Sequence, residues 1–90
     1  MKITKEFAIR EIAGDTILVP VGKSALEVSG IITTNDVGAF IWTKLTESDT
    51  PTREGLLAAL LEEYDVTEAD AAADLDEFLG KLREFGVLED

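Results

Sequence analysis

The stretch Ile31-Ile32-Thr33-Thr34-Asn35-Asp36 decides the fold, because a strand signal in it runs directly into a helix start. β-Branched residues favour extended backbone, so we predict a short strand over residues 31–33. Asn35 is a preferred N-cap residue, and the carboxylate of Asp36 suits the positive end of a helix dipole. A helix is therefore predicted from about residue 36 to residue 45. The strand before it leaves a backbone edge that can pair with another extended chain.

Two β-prone runs, residues 7–12 and 16–21, precede this strand and are joined by residues 13–15. Because Gly14 can supply the positive φ that tight turns need, the two runs are predicted to form a hairpin. Pro20 has no N–H to donate, so strand pairing is expected to weaken at that residue. The hairpin and the strand at residues 31–33 together predict three strands in the first part of the chain.

Three helices are predicted after the strand at residues 31–33, and each has an apolar stripe at helical spacing. The first stripe is Val37, Phe40, Ile41 and Leu45. The second helix is capped by Thr52, and its stripe is Leu56, Leu57, Leu60, Leu61 and Tyr64. The third helix opens with a capping-box pattern at Thr67, and its stripe is Ala71, Leu75, Phe78, Leu79, Leu82 and Phe85. Glu77 and Lys81 are spaced for an ion pair on this helix, and Gly86 is expected to end it.

This order of elements predicts an α+β domain with a winged-helix-like shape, in which an N-terminal three-stranded antiparallel sheet is followed by three helices. Ninety residues suffice for one hydrophobic core, so residues 1–90 are expected to form a single domain. Residues 25–28 leave two interpretations open, a short strand or a packed loop, before a turn at residues 29–30.

The composition argues against catalysis. The chain has neither His nor Cys, which removes the usual zinc ligands, thiol nucleophiles and imidazole bases. The remaining candidates are carboxylates, and these are scattered over predicted helix surfaces in the pattern of a solvated face. We therefore expect no catalytic residues, no metal site and no enzymatic activity.

The charge distribution excludes some classes of partner. The formal net charge is −11, and residues 46–90 hold three basic and fourteen acidic side chains. Phosphate backbones are bound by Lys and Arg, so this chain is expected to repel nucleic acid and anionic membrane surfaces. The apolar runs are too short to span a bilayer, and the charged start is unlike a signal peptide. These features predict a cytoplasmic protein.

Several segments, taken in order, resemble one known family. They are Gly14-Asp15-Thr16-Ile17-Leu18-Val19-Pro20, residues 31–35 leading to Ile41-Trp42, Glu62-Glu63-Tyr64-Asp65-Val66, and residues 74–79 followed by Leu82 and Gly86-Val87-Leu88. This ordered set resembles coenzyme PQQ synthesis protein D and its relatives over nearly the whole chain.

The resemblance implies a peptide chaperone for ribosomally made, modified peptides, in PQQ biosynthesis or in another peptide pathway. In that family the leader segment of a precursor peptide adds as a strand to the third strand and lies in a groove against the third helix. The bound peptide is then delivered to a modifying enzyme, often a radical S-adenosylmethionine (radical SAM) protein. The domain itself binds no cofactor.

Carried over to this chain, the peptide-binding strand is Ile31, Ile32 and Thr33. The helix side of the groove is the stretch from Asp74 to Phe85, in which Asp74, Phe78 and Lys81 are the candidate contacts. Phe78, and with it Phe85, is expected either in the floor of the groove or in the core. Lys81 is expected either to meet an acidic residue of a leader or to pair with Glu77. Trp42 is expected to line the core or to border an interface with the enzyme.

Other classes of function remain open on the residues alone. A winged-helix transcription regulator would need a basic recognition helix, and the predicted third helix is acidic instead. An acidic adaptor would dock proteins through its helix surfaces rather than through the strand edge. An exposed edge also allows two copies of the chain to pair as a homodimer.

Overall fold

The computed structural model describes residues 1–27 and 30–89, and the following elements are defined within those ranges. In chain order they are β1 (Lys2–Ile3), β2 (Phe7–Ile12), β3 (Asp15–Pro20), α1 (Ser24–Glu27), β4 (Ile32–Thr34), α2 (Asp36–Glu47), α3 (Arg53–Glu63), α4 (Glu68–Glu84) and β5 (Leu88–Glu89). The strands β2, β3 and β4 form an antiparallel sheet in that spatial order. The predicted α+β fold, with a three-stranded antiparallel sheet before the three main helices, is confirmed.

The hairpin between β2 and β3 turns at two residues with positive φ, Ala13 at +53° and Gly14 at +87°. Two consecutive positive φ values are the signature of the tight turn whose twist matches the flanking strands. The turn sets the register, in which Ile12 lies opposite Asp15. The same strand β3 then pairs with β4, with Leu18 opposite Ile32.

The three main helices begin at the caps predicted from the sequence. The side chain of Asn35 accepts a hydrogen bond from the Gly38 N–H at 2.9 Å, and Thr52 accepts one from the Gly55 N–H at 3.0 Å. Thr67 accepts a hydrogen bond from the N–H of Asp70 at 3.2 Å. Because each cap satisfies a backbone donor that the helix leaves unpaired, these residues fix where the helices start.

The core lies between the inner face of the sheet and the three helices. Its most deeply buried side chains are Leu18, Ile32, Ile41, Leu45, Leu60, Leu75, Leu79, Leu82 and Val87. Trp42 belongs to this core, since it is only 4% exposed and its ring packs edge-on against Phe7 at 5.7 Å. Of the two placements expected for Trp42, the core is therefore the one observed.

Two parts of the fold were not predicted. Residues 24–27 form the one-turn helix α1 rather than a strand or a loop, while the predicted turn residue Ser29 lies outside the described residues, as does Val28. The short strands β1 and β5 pair with each other and bring the two ends of the described chain together.

The end of α4 prepares the chain for this pairing. Gly86 has φ +71°, its N–H donates to the carbonyl of Arg83, and the next N–H, of Val87, donates to the carbonyl of Leu82. This is the glycine-capped helix end expected from the sequence. No helix within residues 1–27 and 30–89 is long and apolar enough to cross a membrane.

Candidate functional site

The first component of the site is the free edge of β4. Within the described residues β4 pairs with β3 on one side, and its other side is the border of the sheet. In a two-residue hairpin the closing pair, here Ile12 and Asp15, exchanges backbone hydrogen bonds, and this pairing alternates along both strands. The N–H and C=O groups of Ile17 therefore point toward β2, and those of Leu18 point toward β4.

The alternation continues across β3 and decides which groups of β4 are free. Leu18 lies opposite Ile32, and Ile17 lies opposite Thr33. Because the backbone of Ile17 is turned away from β4, the backbone N–H and C=O of Thr33 point out from the sheet. By the same alternation the backbone of Ile31 points outward. The outward direction at Thr33 is visible directly, since its carbonyl accepts a hydrogen bond from Lys81 Nζ of α4 at 3.3 Å.

The second component is a groove of about 270 Å³ beside this edge. Its wall is formed by the end of β4, the first turn of α2 and the middle of α4. The lining residues are Thr33, Thr34, Asn35, Val37, Gly38, Asp74, Glu77, Phe78 and Lys81. A chain pairing with β4 would therefore have side chains of two helices beside it.

Gly38 brings α2 close to β4 and α4 at the bottom of the groove. A Cβ atom at this position would lie 2.9 Å from the Thr34 Cβ and 3.1 Å from the Phe78 Cδ1. Such distances are closer than packed side chains tolerate, so only glycine allows this approach. The N–H of Gly38 is also the one that Asn35 caps, and the helix start and the close contact therefore depend on the same residue.

Phe78 supplies the apolar part of the groove. Its side chain is 5% exposed, it belongs to the core cluster, and it also lines the groove. Phe78 therefore lies both in the core and in the floor of the groove, the two placements that the sequence left open. The ring is held on its inner side by the core, so it presents a fixed apolar surface to whatever enters.

The rim of the groove on α4 is charged. Asp74, Glu77 and Lys81 all line it. The pair predicted between Glu77 and Lys81 is wrong for the described chain, because the Lys81 ammonium donates to the Thr33 carbonyl instead. A tertiary acceptor across the groove has replaced the local partner on the helix.

The structure brings together four of the six residues expected to bind peptide: Thr33, Asp74, Phe78 and Lys81. Ile32 lies beneath the groove as a core residue, 2% exposed, and Ile31 precedes β4 with 48% of its surface exposed. The predicted strand is thus shifted by one residue, because β4 is Ile32–Thr34.

Sequence reasoning missed four lining residues, namely Thr34, Asn35, Val37 and Gly38, whereas Glu77 lies within the stretch 74–85 that was assigned to the groove. One signal was available for the first turn of α2. A glycine inside an otherwise periodic helix often marks close backbone packing, and Gly38 stands one helical turn after its cap. Phe85, in contrast, is wrong as a floor or core residue, since it is the C-cap of α4 and is 40% exposed.

Within residues 1–27 and 30–89 no group of three or more His, Cys, Asp or Glu side chains is arranged to hold a metal ion. What the groove does offer is an outward N–H and C=O, a fixed aromatic surface and a charged rim. This combination suits the binding of an extended polypeptide.

Two solved structures share this fold, and one family model matches most of the chain. The chain is similar to TbiB1, solved in complex with the TbiA(beta) leader peptide, with 26% identity, a TM-score of 0.70, and coverage of 99% of this chain and 95% of that one. It also has the fold of a lasso peptide synthetase B1 complexed with the leader peptide, with 19% identity, a TM-score of 0.67, and coverage of 99% and 96%. No curated protein gives a match. A family model matches residues 16–88, and the chain therefore belongs to the coenzyme PQQ synthesis protein D (PqqD) family.

Proposed function

We propose that this protein binds the leader segment of a ribosomally synthesised precursor peptide and presents it to a peptide-modifying enzyme. The leader adds as a strand to the free edge of β4, and its side chains enter the groove between β4, α2 and α4. Thr33 supplies the backbone contacts, Phe78 the apolar floor, and Asp74 and Lys81 the charged rim. Ile31 flanks the strand, and Ile32 holds it in place from the core.

The observation that carries this proposal is the coincidence of an unpaired strand edge with a groove alongside it. The outward N–H and C=O of Thr33 open next to the ring of Phe78 and the rim of α4. Membership of the PqqD family and the likeness to TbiB1, which was solved with a leader peptide, support the same occupant.

The balance between hydrogen bonding, ordering entropy and apolar burial indicates how many hydrophobic residues a leader needs in order to bind. The outward backbone groups of Ile31 and Thr33 provide at most four hydrogen bonds, each worth a net ~1 kcal/mol. Ordering a disordered segment costs ~2–5 kcal/mol, which largely cancels that gain. Apolar anchors contribute ~1.5–3 kcal/mol each when buried, so micromolar affinity requires two or three hydrophobic residues in the leader.

The role of the domain is to bind rather than to catalyse. The chain lacks His and Cys, and its carboxylates at the groove serve as charges on a rim. The receiving enzyme is then the component that changes covalent bonds, and the family resemblance favours a radical SAM enzyme for that part. A test of this pairing is co-purification with a radical SAM enzyme, where one is encoded beside the gene; a receiving enzyme of another class would contradict it.

The binding proposal can be tested without knowing the natural precursor. A display library of random 20-residue peptides is selected on the wild-type protein, and the best binder is synthesised and added to labelled protein. Because strand addition buries the Thr33 N–H in a new hydrogen bond, hydrogen exchange at this amide should slow markedly. Exchange at the amide of Glu11, on the opposite border of the sheet, serves as the internal control.

Two results would reject strand addition at β4. One is a selected peptide that binds without slowing exchange at Thr33, with its chemical-shift changes confined to helix surfaces; this would favour an adaptor. The other is the failure of the library to yield any peptide that binds the groove.

A further inference from the structure

The hydrogen bond from Lys81 to Thr33 occupies part of the edge at which a peptide strand would pair. The ammonium group reaches across from α4 and donates to the Thr33 carbonyl oxygen at 3.3 Å. That oxygen is the outward acceptor at the centre of β4, where an added strand must place its own N–H. The free protein therefore has a cation at a point that a bound peptide needs.

Lysines along unpaired strands are a common protection against unwanted pairing, because a charged donor at the border competes with a second backbone. Lys81 differs from a lysine within a strand, since it belongs to α4 and crosses the groove to reach the edge. Its side chain can swing away without disturbing the sheet.

A displaced Lys81 has other partners within reach. Glu77 stands four residues earlier on α4 and lines the same groove, and Asp74 lies one turn further along the rim. An acidic residue four positions before a lysine is the favourable arrangement for an ion pair on a helix. Moving the ammonium from the Thr33 carbonyl to Glu77 would therefore leave Lys81 with a partner.

We infer that Lys81 is a guard of the β4 edge: its ammonium covers the Thr33 carbonyl in the free protein and is displaced by the peptide strand. The inference rests on the proposed function. Because the contact is exposed, its loss should alter affinity only modestly, by about two- to five-fold. The guard lowers the affinity of every strand that pairs with β4 by the same factor. Segments that offer backbone pairing alone then bind too weakly to persist, whereas segments whose side chains also fill the groove still bind.

The test compares Lys81→Met with Lys44→Met. Both changes remove one positive charge and add a methionine, but Lys44 lies on α2, where it pairs with Glu47 at 3.4 Å. In the free protein the carbonyl ¹³C shift of Thr33 should change in Lys81→Met and stay constant in Lys44→Met. Lys81→Arg, which keeps a charged donor, should preserve the wild-type shift.

The affinity arm uses the library-selected peptide with every Asp and Glu replaced by Asn and Gln, so that Lys81 has no acidic peptide residue to bind. This probe should bind Lys81→Met about two- to five-fold more tightly than Lys44→Met in titration calorimetry. Equal affinities, weaker binding to Lys81→Met, or an unchanged Thr33 carbonyl shift would overturn the guard while leaving strand addition intact. A library that yields no groove-binding peptide would overturn both.

Discussion

The two borders of the three-stranded sheet differ in what lies beside them. The outer border of β2 runs toward the hairpin tip, where Arg10, Glu11 and Ile12 are all exposed. The outer border of β4 is shorter, but Phe78 and the rim of α4 stand next to it. Both borders have a carbonyl with a cationic donor on it, since Arg10 donates to Ile9 at 2.9 Å as Lys81 does to Thr33.

An unpaired strand is therefore not by itself a binding site. A peptide on β2 would gain backbone hydrogen bonds whose net worth roughly equals the cost of ordering it. A peptide on β4 would also bury apolar side chains against a fixed ring. The neighbouring helices, rather than the strand, therefore decide which border is used.

Removing the aromatic surface beside β4 should have the largest effect. Phe78→Ala should lower the free energy of unfolding by about 3–5 kcal/mol and remove measurable peptide binding. Leu79→Ala, at a core position outside the groove, should cost a similar ~2–5 kcal/mol but leave the folded fraction with normal affinity. Denaturant unfolding and calorimetry at low temperature check both. Phe78→Leu, which keeps a smaller apolar floor, should fold and bind weakly; normal affinity in this variant would contradict the role of the ring.

Proline at matched positions separates the two borders directly. The N–H of Thr33 points outward from β4, and by the alternation set at the turn that of Glu11 points outward from β2. Thr33→Pro should weaken peptide binding about 5- to 100-fold, because the peptide carbonyl opposite it loses its donor. Glu11→Pro should change affinity by less than about two-fold, since no peptide pairs there. The reverse order of effects would place the binding strand on β2.

Alanine at two helical glycines should have smaller and opposite effects on stability. Gly38→Ala would place a Cβ against Thr34 and Phe78, so we expect a loss of about 1–3 kcal/mol and weaker peptide binding. At Gly80 of α4 a Cβ would meet nothing within 4 Å, so Gly80→Ala should stabilise the helix by about 0.8–1 kcal/mol. Thermal unfolding and peptide titration distinguish the two. Equal stabilities would show that α2 does not approach β4 this closely.

The smallest expected effect lies away from both borders, at an ion pair that joins α3 to α4. Arg53 binds Asp76 through two hydrogen bonds of 2.8 and 2.9 Å, and this contact lowers the pKa of the Asp76 carboxyl below its ordinary value. A carboxyl whose pKa is lowered by folding stabilises the protein at pH values above its unfolded-state pKa. This stabilisation is lost as the pH falls through the folded-state pKa. Asp76→Asn should therefore lower Tm slightly at pH 7. The difference from the wild type should shrink as the pH falls through the lowered pKa of Asp76, and peptide affinity should not change.

Local signals explain the parts of the fold that the sequence predicted. The hairpin follows from Gly14 and the alternating runs around it, and the helix starts follow from Asn35, Thr52 and Thr67. Each of these residues satisfies backbone geometry or hydrogen bonds within a few positions of itself. Such signals hold wherever the segment lies in the fold.

The parts that were missed depend on partners far along the chain. Helix α1 is only one turn long, and Ser24 in it accepts a hydrogen bond from the Glu6 N–H at 2.8 Å. Lys81 pairs with a carbonyl 48 positions away instead of with the neighbour that helical spacing favours. Helical spacing also placed Phe85 in the core, but the chain turns at Gly86 before that side chain can be buried.

The pairing of β1 with β5 has a consequence for how the domain can be joined to other proteins. The N–H of Thr4 donates to the carbonyl of Val87, and its hydroxyl donates to the carbonyl of Gly86, both at 2.8 Å. The first and last strands therefore lie next to each other on the surface of the domain. A second protein attached at either end would start from nearly the same point on the surface. Fusion to an enzyme in either gene order is thus geometrically equivalent, and a covalent link would raise the local concentration of a captured peptide at that enzyme.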